Sequence, residues 1–301
     1  EALFSETPYR VATPSFSYHP AEGMGKVNGL PALTNGHITF GTLTRTVRLN
    51  HRTITAWSEI LKRVPDSRLV IDCKAFSDQY LQNLFAEKFV AHGIARERLV
   101  FGYHTPPWDV LRGIDIGLDC FPHNSGTTLF ETLYMGVPYI TLAGRPSVGR
   151  LGSCILQGLG RPKWIADNEA DYIAKAVELA SDTNHLSEIR AGLRDQMENS
   201  PLRDEKNFAV KVETAYREIW KKWCQKNDKQ DEQTSASIID QTLQQAITYH
   251  QTGQLSDAKR LYQMILQIQP DHPDAQHNLA LLADQIKQVT ADLPEFKAAL
   301  E

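Results

Sequence analysis

The stretch Asn124-Ser-Gly-Thr-Thr-Leu-Phe-Glu-Thr-Leu-Tyr-Met-Gly-Val-Pro138 decides the fold reading, because a tight turn opens into a helix and then into a buried strand. Just before it, Ile114-Asp-Ile-Gly-Leu-Asp-Cys-Phe121 is a short, mostly apolar run, as expected of a central parallel strand covered on both faces. Pro122 stops that strand. Ser125 and Gly126 permit a tight turn, and Thr127 or Thr128 is expected to cap the following helix. The free N–H groups and positive dipole end of such a helix suit a diphosphate. Glu131 lies one turn further in, where a carboxylate either accepts hydrogen bonds from a ribose or is a solvated or capping residue. The local pattern leaves two readings open, an anion-binding turn or a plain strand-to-helix connection.

Outward from this turn the chain alternates. Strand-like runs fall at 37–43, 69–73, 99–103, 114–121 and 138–142, with a weaker one at 164–166. Helical patterns lie between and after them, at 52–64, 78–92, 108–112, 127–135, 148–158, 169–181, 185–199 and 203–224. Such strand–helix repetition predicts a parallel sheet with right-handed crossovers, whose ligands sit at the carboxyl ends of the strands. Residues 1–36, rich in Pro, Gly, Ser and Tyr, read as a connecting segment lying over a domain. Residues 37–224 form the expected α/β domain. Residues 225–237 are polar, charged and almost free of apolar side chains, the composition of a linker.

Residues 238–301 read differently. Tyr249, Gly253, Ala258, Tyr262 and Pro270 match the spaced positions of a 34-residue helix-turn-helix repeat, and a second copy starts at Pro273 before Asp292-Leu-Pro294 interrupts it. This segment resembles a tetratricopeptide repeat, with a generic helical hairpin as the alternative. Its expected role is to bind protein partners.

Composition narrows the class. With 301 residues, 42% hydrophobic and 23% charged, the chain can bury a substantial core. A net charge of -4 and a pI near 6.2 argue against a general nucleic-acid binder. Cys73, Cys120, Cys154 and Cys224 form no Cys-x-x-Cys pair and no zinc spacing, so reduced structural thiols are expected and no metal site. No apolar run approaches the roughly 20 residues of a membrane span, and no basic-then-apolar leader opens the sequence. The expected location is cytoplasmic.

Four segments together carry a family resemblance: Phe40-Gly-Thr-Leu-Thr-Arg-Thr-Val-Arg48, residues 57–65, the run 125–138, and residues 200–220, with the phrases Leu133-Tyr-Met-Gly-Val-Pro138 and Ala215-Tyr-Arg-Glu-Ile-Trp-Lys-Lys222. They resemble the C-terminal catalytic half of glycosyltransferase family 41, which contains the protein O-linked N-acetylglucosamine transferases and the SPINDLY-type proteins. The resemblance implies an α/β fold, the Rossmann-like nucleotide-holding half of a GT-B transferase, plus a small all-α tetratricopeptide-like segment. It implies an inverting enzyme that moves a sugar, N-acetylglucosamine from UDP-GlcNAc foremost, onto Ser or Thr of proteins, with no cofactor. Departure of a nucleoside diphosphate develops negative charge that must be met by a metal or by fixed cations and helix N-termini. The sequence has no Asp-x-Asp motif, so the metal route is not expected.

By the resemblance, Arg48 stands where the family has a lysine that contacts the donor phosphates, and so becomes the candidate catalytic group; a surface arginine is the alternative. Arginine keeps the charge but presents it as a longer planar fork. Gly126, Thr127 and Thr128 are the implied diphosphate ligands and Glu131 the ribose ligand. Arg45 falls near the nucleotide, and Arg150 is the favoured cation of the loop Gly144-Arg-Pro-Ser-Val-Gly-Arg150 that borders the donor sugar. Lys74, after the second strand, and His123, beside the turn, complete the candidate set, each with an ordinary surface role as its alternative. The loop before the fourth strand, Thr105-Pro-Pro-Trp108, lacks the histidine that many members carry; His104 and Trp108 are candidate replacements. Nothing in the chain matches the other half, which supplies the acceptor side and a catalytic base. Two further readings remain open: a transferase of another donor or acceptor, such as GDP-fucose or a glycan, and a non-catalytic scaffold with a degenerate transferase domain.

Overall fold

A computed structural model describes residues 5–11 and 14–298. Six parallel strands, β1 (Thr39–Thr42), β2 (Arg68–Asp72), β3 (Leu99–Gly102), β4 (Ile116–Leu118), β5 (Tyr139–Leu142) and β6 (Ile165–Ala166), form one sheet in the order β3-β2-β1-β4-β5-β6. The connections reverse direction between β1 and β4, which is where a doubly wound sheet opens a crevice at its carboxyl edge. Every residue of β1, β4 and β5 is buried, in keeping with their continuous apolar runs.

The helices α1 (Pro31–Asn35), α2 (His51–Arg63), α3 (Gln79–Val90), α4 (Trp108–Arg112), α5 (Thr127–Tyr134), α6 (Leu151–Leu159), α7 (Glu169–Ser181) and α8 (Thr183–Glu198) follow the strands. Short polar side chains start several of them. Asn50 caps α2 by accepting the Thr53 N–H at 3.1 Å, and Asn168 and Asp182 do the same for α7 and α8. Helices α2, α3 and α7 pack on one face of the sheet, and α5, α6 and α8 on the other. The fully buried Trp57 of α2 donates its indole N–H to the Tyr172 hydroxyl, which donates to the Asp119 carbonyl at 2.8 Å, tying α2 and α7 to the end of β4. Residues 14–36 lie against this domain: Tyr18 is buried and stacks on Phe130 with ring centroids 5.1 Å apart.

The described chain divides between Ala215 and Tyr216 into two compact units. Residues 225–237, expected as a linker, belong to the long helix α9 (Glu205–Gln251). A sequence rich in Lys, Gln, Asp and Glu and free of Gly and Pro is as compatible with a helix as with an unstructured tether. The second unit has its own core: Ile239, Leu243 and Ala246 of α9 pack with Ala258, Leu261, Tyr262 and Ile265 of α10 (Leu255–Ile268) and Ala275 and Leu282 of α11 (Pro273–Ala298). Gly253, at φ 79°, makes the turn between α9 and α10. The backbone of α11 continues through residues 292–294, where an interruption is expected; a proline there removes one helical hydrogen bond without ending the helix.

Candidate functional site

The carboxyl edge of β1 and β4 carries the candidate site. After β1 the chain passes through buried Thr44 into a short 3-10 turn, Thr46–Arg48, which brings the half-buried Arg48 across to the turn after β4. Arg48 Nη1 lies 3.5 Å from Ser125 Oγ. Asn50 locks this approach from below, its Nδ2 donating to the Phe121 carbonyl while Thr53 Oγ1 donates to the same oxygen at 3.0 Å.

The turn is built from inside. Asp119 is fully buried; its Oδ1 accepts the Ser125 N–H at 2.8 Å and its Oδ2 the Thr141 hydroxyl at 2.7 Å. Asn124, also fully buried, donates to the Cys120 carbonyl and accepts the Gly152 N–H at 3.3 Å, joining the turn to the start of α6. Ser125 Oγ donates to Thr44 Oγ1 at 3.3 Å, and Thr44 Oγ1 lies 3.0 Å from Cys120 Sγ. Burial pushes the Asp119 carboxyl up to about 7, against the hydrogen bonds from Ser125 and Thr141 and the charge of Arg48, and pushes the Cys120 thiol up to about 12.

Gly126 is the N-cap of α5 and makes no side-chain cap; Thr127 and Thr128, expected as caps, are instead the first two helical residues. With Gly126 at the cap position no side chain caps the helix end; the Leu129 N–H donates to the Gly126 carbonyl at 2.9 Å, and Arg48 reaches Ser125, the residue before the cap. Glu131 follows on the next turn, half-buried, and burial raises its carboxyl above the usual range.

The other candidates are placed less closely. Arg45, Lys74 and His123 are exposed around the same edge and have no ion-pair partner among the described residues. Arg150 is exposed, donates Nε–H to the Gly144 carbonyl at 3.1 Å, and lines a separate cavity of about 830 Å³ with Arg10, Phe16 and Asp167, which neither Arg48 nor the α5 residues line. His104 is held by Asp72, with Nδ1 2.5 Å from Oδ2. Trp108 is half-buried and packs on a small apolar cluster containing Met24, Leu111 and Met135. Among the described residues, no three His, Cys, Asp or Glu side chains gather as a metal set.

Sequence reasoning missed Thr44, Asp119 and Asn124 as the supports of the turn. One signal was present: two aspartates, Asp115 and Asp119, interrupt an otherwise apolar strand, and a buried carboxylate needs partners.

The sequence model of Glycosyl transferase family 41 matches residues 28–212, which include the whole sheet and this site. The chain belongs to glycosyltransferase family 41. Its family-41 relatives include a probable UDP-N-acetylglucosamine–peptide N-acetylglucosaminyltransferase SPINDLY from Arabidopsis thaliana, 37% identical over 69% of this chain and 23% of that protein. A UDP-N-acetylglucosamine–peptide N-acetylglucosaminyltransferase from Caenorhabditis elegans is 26% identical over 64% of this chain and 17% of its own length. Among solved structures, a lysine-to-methionine mutant of the Thermobaculum terrenum O-GlcNAc transferase superposes with a TM-score of 0.65 at 27% identity, over 73% of this chain and 42% of that one. The chain thus spans about a quarter of the length of its SPINDLY relatives. The parallel sheet is the Rossmann-like half of the GT-B fold seen in that transferase.

Proposed function

We propose that this chain is the donor-binding half of an inverting, metal-independent glycosyltransferase that moves N-acetylglucosamine from UDP-GlcNAc onto Ser or Thr of proteins. The observation that carries the reading is the meeting of Arg48, Ser125 and the uncapped start of α5 at the switch point of a family-41 sheet. A leaving diphosphate at this place meets a guanidinium from one side and helix N–H groups from the other, so the developing charge is met by groups already in place. Gly126, Thr127 and Thr128 bind the diphosphate in this reading, and Glu131 takes the ribose hydroxyls. Arg45 and Lys74 supply cationic groups at the rim and His123 a polar one, while Arg150 lines a separate cavity. The acceptor half and the catalytic base belong to a part of the enzyme that this chain does not contain.

The names of the relatives favour UDP-GlcNAc over GDP-fucose as donor. The helices of the second unit act as a tetratricopeptide-type surface for protein partners, and the four unpaired cysteines fit a cytoplasmic setting. No helix among the described residues is long and apolar enough to cross a membrane. Thermal unfolding with UDP, GDP and their sugars tests the reading, since a ligand of the folded state stabilises it by mass action. Stabilisation by UDP and UDP-GlcNAc beyond that by GDP is expected; no shift with any nucleotide at millimolar concentration would refute the donor site.

A further inference from the structure

Asp119 forms the floor of the turn without reaching its surface. Its two oxygens hold Ser125 through its N–H and Thr141 through its hydroxyl. Space beside the carboxylate is kept by Gly152, where a Cβ would stand 2.7 Å from Asp119 Oδ2 and 2.4 Å from Thr141 Oγ1. Asp119 therefore fixes Ser125, which is both the neighbour of Arg48 and the residue that leads into α5.

We propose that Asp119 is the positioning residue of the donor's phosphates and takes up a proton from solvent when they dock. The inference rests on the reading of this turn as a phosphate site.

The groups around Asp119 make the coupling one-sided. Arg48 is the cation whose field reaches it. Beside it lie the Cys120 thiol, Tyr139 from β5 and Tyr172 from α7, all held in their neutral forms by burial, and Cys154 of α6 lies beyond Tyr139. At this end α2 contributes the uncharged Thr53 and Trp57. A phosphate docked on Arg48 cancels the cation that favours ionised Asp119 and adds negative charge of its own. Both changes favour the protonated acid. Protonation leaves the turn in place: Oδ1 still accepts the Ser125 N–H, and a proton on Oδ2 is donated to Thr141 Oγ1, whose own hydroxyl proton rotates away. By linkage, affinity is greatest where Asp119 is already protonated and falls as pH rises above about 7, the value for the unliganded state.

Calorimetric titration of the full 301-residue chain with UDP-GlcNAc, whose two phosphates each carry one ester and their shared anhydride and so do not titrate near neutrality, tests this in buffers of different ionisation enthalpy. Fractional proton uptake is expected above neutral pH, with affinity falling by up to about tenfold per pH unit. Asp119→Asn, which keeps Oδ1 as acceptor, is expected to bind without buffer dependence and with a flat profile. Thr141→Val removes the stronger, charge-assisted hydrogen bond to the ionised form together with the weaker one from the acid, and is expected to move the fall to higher pH; it decides the question should Asp119→Asn not fold. Buffer-independent binding by the unsubstituted chain, unchanged uptake in Asp119→Asn, or an unmoved profile in Thr141→Val overturns the proposal while leaving the donor site standing. If UDP-GlcNAc does not bind at all, the phosphate site itself is contradicted, and the proposed function and this inference fall together.

Discussion

The two ends of β4 each carry a buried aspartate, and they are finished in opposite ways. At the amino end, Asp115 accepts the N–H groups of Thr39 and Ala32 at 2.8 and 2.9 Å. The buried Arg190 nearby donates to the carbonyls of Ile114, Asn28 and Arg112 and to Asn28 Oδ1. Burial raises the acid and lowers the guanidinium to about 10, each opposed by the charge of the other. At the carboxyl end Asp119 is equally buried, but the cation above it, Arg48, is half-exposed and meets only a hydroxyl at 3.5 Å. A guanidinium satisfied by several carbonyls serves the fold. One held at the mouth of a sheet, beside a helix start without a side-chain cap, is what the proposed donor site requires.

That contrast can be broken by mutation, beginning with the largest expected effect. Arg190→Ala leaves the Ile114, Asn28 and Arg112 carbonyls without this donor and removes the charge that opposes burial of Asp115, and should cost about 3–5 kcal/mol in urea unfolding. A loss as small as a surface substitution gives would show that the amino end is not a structural lock. Gly152→Ala places a methyl against Thr141 and Asp119 and should cost about 1–3 kcal/mol, with a matching drop in melting temperature. A neutral effect would mean that the Asp119 shell is loosely packed.

Asp119→Asn changes the pH dependence of stability. The folded acid lies at about 7 against an ordinary 3.8, so between these values the native state holds a proton that the unfolded chain has lost. Stability from this group is therefore fully present below about pH 4 and is lost as pH rises towards 7. The Asn variant should show a shallower decline than the parent over that window; identical slopes would place the titration elsewhere. Arg48→Ala should change stability least, within about 0.5 kcal/mol, because its side chain makes one long contact.

Much of the carboxyl end was legible in the sequence. The apolar runs gave six strands in the right places, and the Ser125-Gly-Thr-Thr128 turn was placed at the end of a buried strand because Pro122 and Gly126 punctuate it. What was not legible depends on residues far apart in the chain. Asp119 reads as one more strand residue until Thr141, Gly152 and Tyr172 are folded around it. The strand itself is shorter than its apolar run, 116–118 against 114–121, although the N–H groups of the flanking Asp115 and Asp119 still donate to the Thr39 and Ile140 carbonyls of the neighbouring strands. Residues 225–237 are helical although their composition suits a tether, since solvated helices and tethers share a composition. Arg150, placed by analogy of position, faces a cavity of its own.

The central claim is that Arg48 and the start of α5 together receive a nucleoside diphosphate. Titrating UDP into the chain and into its Arg48→Ala variant, side by side, tests it most directly. The expected result is binding by the parent and at least tenfold weaker binding by the variant, about 1.5–3 kcal/mol for a lost charged hydrogen bond, with both proteins equally stable when unliganded. Equal affinity in the two proteins, or none in either, would contradict it.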